Sequence, residues 1–562
     1  FGRTKQSAMT KLLQSLATPF AQHRKTFIEQ WQRASATLDL SQHTGDGGAL
    51  HRLSRCILLA HEDKTFRGAI VASMSIPWGA TKGDNDIGGY HLVWPRDLVQ
   101  SAIGLLASGQ TETARAALIW LACLQGPDGE LPQNSWIRGE AFWTGLQLDE
   151  VAAPILLAWH LHKENALGLF DPWTVVSRAA SYLILYGPIT RQERWEEAAG
   201  YSPATLAAIM AGLVIAAEFA RARNDANTAQ FCLDYADWLS AHLEEWTVTN
   251  CGELVPGRPR HYVRITPADC NDPHATAQPD TAILRIANGG GDHPARNVVG
   301  GDFLSLVRLG LRDPHDPIVL DSLAVIDAVI KHDLPQGPSW RRYNHDGYGQ
   351  HADGAAFDGT GVGGAWPLLT GERGHYELAA GRDAMPFIKT LESFSNAGGM
   401  LPEQVWWNDD LPGTRFKPGL PTGSAMPLCW AHAEYLSLVR SCADGVSFDR
   451  VAPAHQRYVE QRTGSKIEMW TCAHRRGRIP AGKTLRVISS SPAVIHWREA
   501  GGAGGEATAT EPSPGIWFAD LPTSQMSGGN QIAFQFKCAR TEDAVIPRLA
   551  NVSNIKASHP HK

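Results

Sequence analysis

Two carboxylate clusters in the sequence have the residue types that acid–base chemistry needs. In Arg194-Trp195-Glu196-Glu197, just ahead of Gly200-Tyr201-Ser202-Pro203, two glutamates adjoin a tryptophan. One anion raises the proton affinity of its neighbour and an apolar ring desolvates it, so one carboxyl of such a pair can keep its proton near neutral pH. In the stretch from Gly399 to Trp407, a lone Glu403 follows Pro402 and precedes Gln404, Trp406 and Trp407. A carboxylate held among rings and an amide is suited to orienting a water. Each cluster also has a plainer reading. The first is then a solvated pair at a helix start, where negative charge is favourable; the second is a loop glutamate that accepts backbone hydrogen bonds.

Two further clusters have the character of a sugar site. Tyr90-His91-Leu92-Val93-Trp94-Pro95-Arg96-Asp97 sets an Arg–Asp pair beneath aromatic rings. A fork of fixed donors beside an acceptor is what sugar hydroxyls require, although Asp97 could equally serve as an N-cap. The run from Trp340 to Tyr348 combines Arg341, Arg342, rings and Asp346 in a long loop. Trp143, Trp366 and Trp430 fall near loop–helix junctions, whereas Trp120, Trp159 and Trp238 sit inside helical patterns and read as core. Asp84-Asn85-Asp86 with Gly88 lacks the remaining ligands of a calcium loop. His345, His351 and Asp353 have no fixed mutual geometry for zinc. No metal and no cofactor is expected.

The elements that must position these groups are mainly helical. Apolar residues at helical spacing (Leu12, Leu13, Leu16, Phe20, Phe27, Trp31) predict a leading linker helix from Met9 to about Leu40. Between Arg52 and Leu438 about twelve helices are predicted: 52–62, 97–109, 112–124, 147–164, 172–185, 203–222, 226–244, 301–309, 318–332, 363–370, 374–393 and 425–441. Ser202-Pro203 is an N-cap with proline at the first helical position. Long loops at 79–95, 125–146, 187–202, 334–362 and 395–424 hold most of the Gly, Pro, Asp and His, the pattern of paired helices with an active-site rim at one end. After about Ser447, β-type runs at 485–488, 493–497, 515–518 and 531–536 predict a small β-rich appendage, with 501–505 a flexible glycine turn. The resulting division is a linker (1–44), a helical catalytic domain (45–445), a β-rich segment (446–545) and a tail (546–562).

Composition narrows the function classes. A formal charge of −6 from 51 basic and 57 acidic residues, with no long basic stretch, argues against nucleic-acid and polybasic membrane surfaces. The apolar stretches Val151–Trp159 and Ala211–Ala216 fall short of the roughly 18 residues a bilayer span needs. Nine cysteines without a CxxC exclude a zinc knuckle and favour free or core thiols. The chain starts at Phe1 rather than Met, so a preceding segment is expected to have been removed or to lie on another chain. The 19 tryptophans are many for a chain of 562 residues, and several of them adjoin the clusters above.

Six ordered blocks resemble the inverting glucoamylase family of glycoside hydrolases, especially its bacterial members. They are Tyr90 to Asp97, Trp143 to Pro154, Trp195 to Pro203, Arg342 to Tyr348 with Phe357 to Leu369, Leu401 to Trp406, and Gly423 to Tyr435. The resemblance covers roughly 45–445. It implies an (α/α)6 barrel, with Glu196 as general acid and Glu403 as general base. It also implies Tyr90 near the developing oxocarbenium ion, Arg96 with Asp97 clamping the terminal glucose, and Trp94, Trp143, Trp195, Glu197, Arg342, Trp366 and Trp430 around the subsites. The implied reaction is exo-acting release of β-D-glucose from the non-reducing ends of α-1,4-glucans. Relatives of the same fold act on α-1,6 bonds, form dextran or cleave trehalose, and the subsite beyond the cleaved bond decides among these. A silent glycan-binding protein is disfavoured because both glutamates are retained. Bacterial members carry a β-sandwich domain ahead of the barrel, so a separate N-terminal β-sandwich chain is an expected partner, and a periplasmic or secreted location is expected.

Overall fold

In the computed structural model the described residues are all but 1, 3, 36–37, 79–88, 500–501, 503, 514, 527–530, 539–547 and 554–562, with the side chains of 33–35, 536–538 and 548–553 also left aside. The most apolar helix shows how the architecture is built. Helix α8 (Pro203–Arg221) is apolar all round, opens with Ser202 capping the backbone N–H of Thr205, and buries nearly every residue. Among the described helices it alone is long and apolar enough to cross a bilayer, yet 94% of its apolar window is buried inside the protein. A helix without a polar face needs neighbours on every side.

Those neighbours form two rings. The inner ring runs α4 (Pro95–Ala107), α6 (Leu148–Lys163), α8, α10 (Leu304–Arg308), α12 (Pro367–Ala379) and α14 (Cys429–Asp444), each touching the next and α14 closing on α4. Around it lie α3 (Ala49–His61), α5 (Thr111–Leu124), α7 (Trp173–Tyr186), α9 (Ala226–Thr247), α11 (Pro317–Val329) and α13 (Met385–Phe394). This is an (α/α)6 barrel. Chain direction alternates between rings, so every outer-to-inner connection emerges at one end. Those connections are the long ones, 62–94, 125–147, 187–202, 248–303, 330–366 and 395–428, whereas the opposite end is closed by short turns such as 108–110 and 222–225.

Two helix boundaries differ from expectation for a definable reason. The sequence pattern places a break between 370 and 374, but α12 continues through Gly371 and Gly374 to Ala379, and residues 365–366 before it are extended. A Cβ on Gly371 would come within 2.4 Å of Glu434 Cγ, and one on Gly374 within 2.7 Å of Leu438 Cδ2. Glu434 cannot yield, being pinned by Arg308 and His375. These glycines therefore permit close approach of α12 to α14 rather than ending a helix. The true stop is Gly381, with φ +73°. Likewise the single linker helix expected over 9–40 is two, α1 (Lys5–Ala17) and α2 (Phe20–Ser35), because Pro19 interrupts the backbone ladder.

The β-rich end is a two-sheet sandwich. One sheet orders Ile467–Trp470, Thr484–Ser489, Ile516–Leu521 and Thr510–Ser513; the other orders Arg478–Pro480, Arg548–Ser553, Gln531–Cys538, Ala493–Glu499 and Gly504–Thr508. Trp470, Leu485, Val487, Ile495, Ile532 and Phe534 are buried between them. More strands form than the four expected, since edge strands rich in polar residues lack the alternation that identifies a strand. Gly504 and Gly505, read as part of a flexible turn, pair with Arg498 and Trp497, and a Cβ on Gly505 would press on the Trp497 ring. The sandwich docks on α9: Phe518 stacks on Phe231, and buried Glu468 accepts from Trp238 and lies 3.1 Å from His242 Nε2 and Arg476 Nε.

Candidate active site

Five of the six long loops line a cavity of about 420 Å³ at the open end of the barrel, and the remaining one, 125–147, stands beside it. Tyr90, Trp94, Asp97, Trp195, Glu196, Glu197, Arg342, Trp366, Glu403 and Trp430 line it, so ten of the twelve site residues expected from the sequence share one wall system.

The third loop supplies Glu196 at a tight tip. Its φ of +67° lies in the left-handed region, rarely adopted by residues other than glycine and costing of order 1 to 3 kcal/mol. Glu193 holds the tip in place: its carbonyl accepts from Glu196 N at 2.7 Å, and its carboxylate accepts from Trp195 N at 2.7 Å and from Arg264 Nη2 at 2.7 Å. The outcome is two neighbouring carboxyls in opposite states. Burial pushes Glu196 up to about 8, against the pull of Arg96 and Arg342, with Asp97 and Glu193 adding to the rise. Its side chain is 32% exposed, toward the cavity it lines, so access of solvent tempers this desolvation. Glu197 moves the other way, below the ordinary carboxylate range, because Arg342 and Arg264 lie within 3.0 Å and Tyr343 donates to it. Glu197 is thus neutralised by its own partners. The sequence reading gave the raising charge to this neighbour, whereas Asp97 and Glu193 exert it.

Glu403, on the sixth loop, is buried; Tyr90 Oη donates to its Oε1 at 2.5 Å and Gln404 Nε2 to its Oε2 at 3.3 Å. Burial raises it to about 7, offset mainly by the Tyr90 bond and by the charge of Arg342. Tyr90 also hydrogen-bonds Tyr348, whose ring packs with Trp78 and Phe357. Of two carboxyls on one cavity, Glu403 accepts the shorter hydrogen bonds, which favour its ionised form, while Glu196 has only Gln133 at 3.5 Å among the described donors. A base–acid pair so arranged is expected to give a bell-shaped rate profile, with an acid limb as Glu403 becomes protonated and an alkaline limb as Glu196 ionises. Tyr90→Phe removes the bond that favours the carboxylate, so the acid limb of kcat/KM is expected to move to higher pH while the alkaline limb stays. An unmoved acid limb would show that Tyr90 does not tune Glu403.

Asp97 is at the third position of α4 rather than its N-cap, which is Trp94, and burial raises it to about 6. Arg96 and Trp143 are not part of the cavity wall. The α6 end draws Arg96 behind it: Gln147 Oε1 accepts at 2.6 Å, Asp149 and Glu150 lie 3.5 and 3.6 Å away, and Glu196 is reached only at 3.9 Å. Trp143 supports Trp94 from behind, ring centroids 5.5 Å apart. Trp195 stacks at 6.1 Å on Trp430 and meets Trp366 edge-on, a continuous aromatic wall. Asp84 to Asp86 and Gly88 lie outside the described residues, and His345 stacks on His293 at 3.7 Å.

Several participants went unmarked in the sequence. Arg264 reaches Glu193 and Glu197; Asn288, at the tip of the hairpin Ile283–Ile286 and Gly291–Pro294, lines the cavity and donates to Glu197; Gln133 Nε2 approaches Glu196 at 3.5 Å. Each acts across 63 to 91 positions of sequence, beyond any local pattern. Asn288 carried one usable signal, an Asn followed by three glycines.

The chain matches known proteins on these same segments. The model of glycosyl hydrolases family 15 matches residues 123–440. A glucoamylase from Clostridium sp. (strain G0005) is 43% identical over 459 residues, covering 82% of this chain, which itself spans 62% of that relative's length. The crystal structure of a bacterial glucoamylase complexed with acarbose superposes with a TM-score of 0.73 at 42% identity, over 82% of this chain and 64% of that one. The glucoamylase of Hormoconis resinae, at 13% identity and a TM-score of 0.50, covers 91% of this chain and 96% of its own, and shares the fold.

Proposed function

The chain belongs to glycosyl hydrolases family 15, and on that premise we propose that it is an exo-acting, inverting glycoside hydrolase that releases β-D-glucose from the non-reducing ends of α-1,4-linked glucans. One observation carries the reading: Glu196 and Glu403 open onto one cavity, and Tyr90 and Gln404 donate to Glu403 whereas Glu196 has only Gln133 at 3.5 Å among the described donors. Glu196 protonates the departing glycosidic oxygen. Glu403, ionised, takes a proton from the water that attacks the anomeric carbon on the opposite face, and inverting pairs stand about 6.5 to 9.5 Å apart to admit that water. Asp97 and the guanidinium of Arg342 bind sugar hydroxyls, while Trp94, Trp195, Trp366 and Trp430 cover the C–H faces. Arg96 and Trp143 act from behind the wall, the first by orienting Glu196, the second by backing Trp94.

The α-1,4 preference draws support from the clostridial glucoamylase and from the acarbose-bound bacterial glucoamylase. Its test is the relative rate of glucose release from maltose, isomaltose, trehalose and starch. Maltose and starch are expected to lead; isomaltose leading would assign α-1,6 specificity, and oligosaccharides in place of glucose would assign a transferase. Met9, Leu12, Leu13, Leu16, Phe20 and Phe27 are exposed along α1 and α2. That apolar stripe supports a separate N-terminal β-sandwich chain as a partner covering the linker. A polymeric substrate that no membrane passes intact supports a periplasmic or secreted location.

A further inference from the structure

From the second loop we infer a distal glucan-binding platform outside the catalytic cavity, built on Trp136 and Phe142. It rests on the glucan-hydrolase reading above and names where the departing part of a longer chain lies. Residues 135–142 form a tight hairpin: Ser135 pairs with Ala141, Trp136 N donates to Glu140 O at 2.9 Å, Gly139 N donates to Trp136 O at 2.8 Å, and Gly139 makes the reversal at φ +97°. Trp120 Nε1, from α5, ties the tip down by donating to Ile137 O at 3.2 Å. The hairpin is therefore held in place, and it presents Trp136 to solvent, 37% exposed, with Arg138 and Glu140 exposed on the same hairpin.

Trp136 is the outer end of an aromatic ladder. Its ring lies 5.4 Å from Phe142, Phe142 5.5 Å from Trp143, and Trp143 5.5 Å from Trp94, which lines the catalytic cavity. The same loop places Gln133 Nε2 at 3.5 Å from Glu196 Oε2. Glu196 is the group that protonates the departing oxygen, so the leaving side of the substrate is the side on which this loop stands. A chain running out past Glu196 meets a part-exposed ring whose indole N–H finds no acceptor among the described residues, on a hairpin that also exposes Arg138 and Glu140. An apolar face, an unspent donor and polar neighbours are what a sugar residue binds. The occupant is the reducing-side continuation of an α-glucan; a disaccharide ends before reaching it.

The test is chain-length dependence. In Trp136→Ala, kcat/KM on maltoheptaose relative to that on maltose is expected to fall about three- to tenfold through KM, the range an aromatic contact contributes. Trp136→Phe is expected to restore part of the loss. In a Glu403→Gln background, which turns over too slowly to consume the probe, Trp136→Ala is expected to weaken maltoheptaose binding by the same factor, with the thermal midpoint of the protein unmoved. An unchanged ratio and unchanged maltoheptaose affinity would overturn this inference alone. A wild-type protein that neither cleaves maltose nor binds maltoheptaose would overturn the glucan reading and this inference with it.

Discussion

Replacing Glu196 by glutamine is expected to lower kcat on maltose by about 10²- to 10⁴-fold with KM little changed, the usual contribution of a positioned proton donor. The amide keeps the shape of the carboxyl and its neighbour Gln133 but has no acidic proton to give. A general acid matters in proportion to how poor the leaving group is, so the same variant is expected to retain most of its activity on α-D-glucosyl fluoride, whose leaving group departs without full protonation. A parallel loss on both substrates would mean that Glu196 serves binding or structure. Stability provides a second readout. In the folded state the group holds its proton up to about 8 against an ordinary value of 4.5, so the fold disfavours its ionised form. That penalty grows as pH rises from 4.5 and levels off above about 8. Glu196→Gln removes it, and the thermal midpoint is expected to rise at pH 8 and to match wild type near pH 4.

Glu403→Gln is expected to cost a similar 10²- to 10⁴-fold in kcat, and here glucosyl fluoride brings no recovery, because water must lose a proton whatever leaves. The amide can still accept from Tyr90 and so preserves the local hydrogen bonding, but it cannot take up the proton of the attacking water. The two variants therefore separate the two roles with one pair of substrates. Recovery of Glu403→Gln on the fluoride together with its absence in Glu196→Gln would exchange the assignments.

Much of this arrangement was legible in the sequence because its signals are local. Helical period marked most of the helices, Ser202-Pro203 marked the start of α8, and the resemblance of six motif blocks to the glucoamylase family implied the barrel and joined Glu196 to Glu403. The misreadings share a cause, in that a residue's local meaning was set by a partner distant in sequence. Gly371 and Gly374 look like a helix break until Glu434 and Leu438 lie against them. Glu197 looks like the anion that keeps Glu196 protonated until Arg264, Arg342 and Tyr343 neutralise it. Trp136 carried no signal at all, since a tryptophan in a short loop reads alike whether it is buried or displayed.

The pair of opposed carboxyls is tested most directly by the configuration of the first product. Proton NMR of maltose digested within seconds to a few minutes, before mutarotation, is expected to show newly released glucose as the β-anomer. Initial α-glucose would mean retention, and with it a covalent intermediate that a water-activating Glu403 does not form.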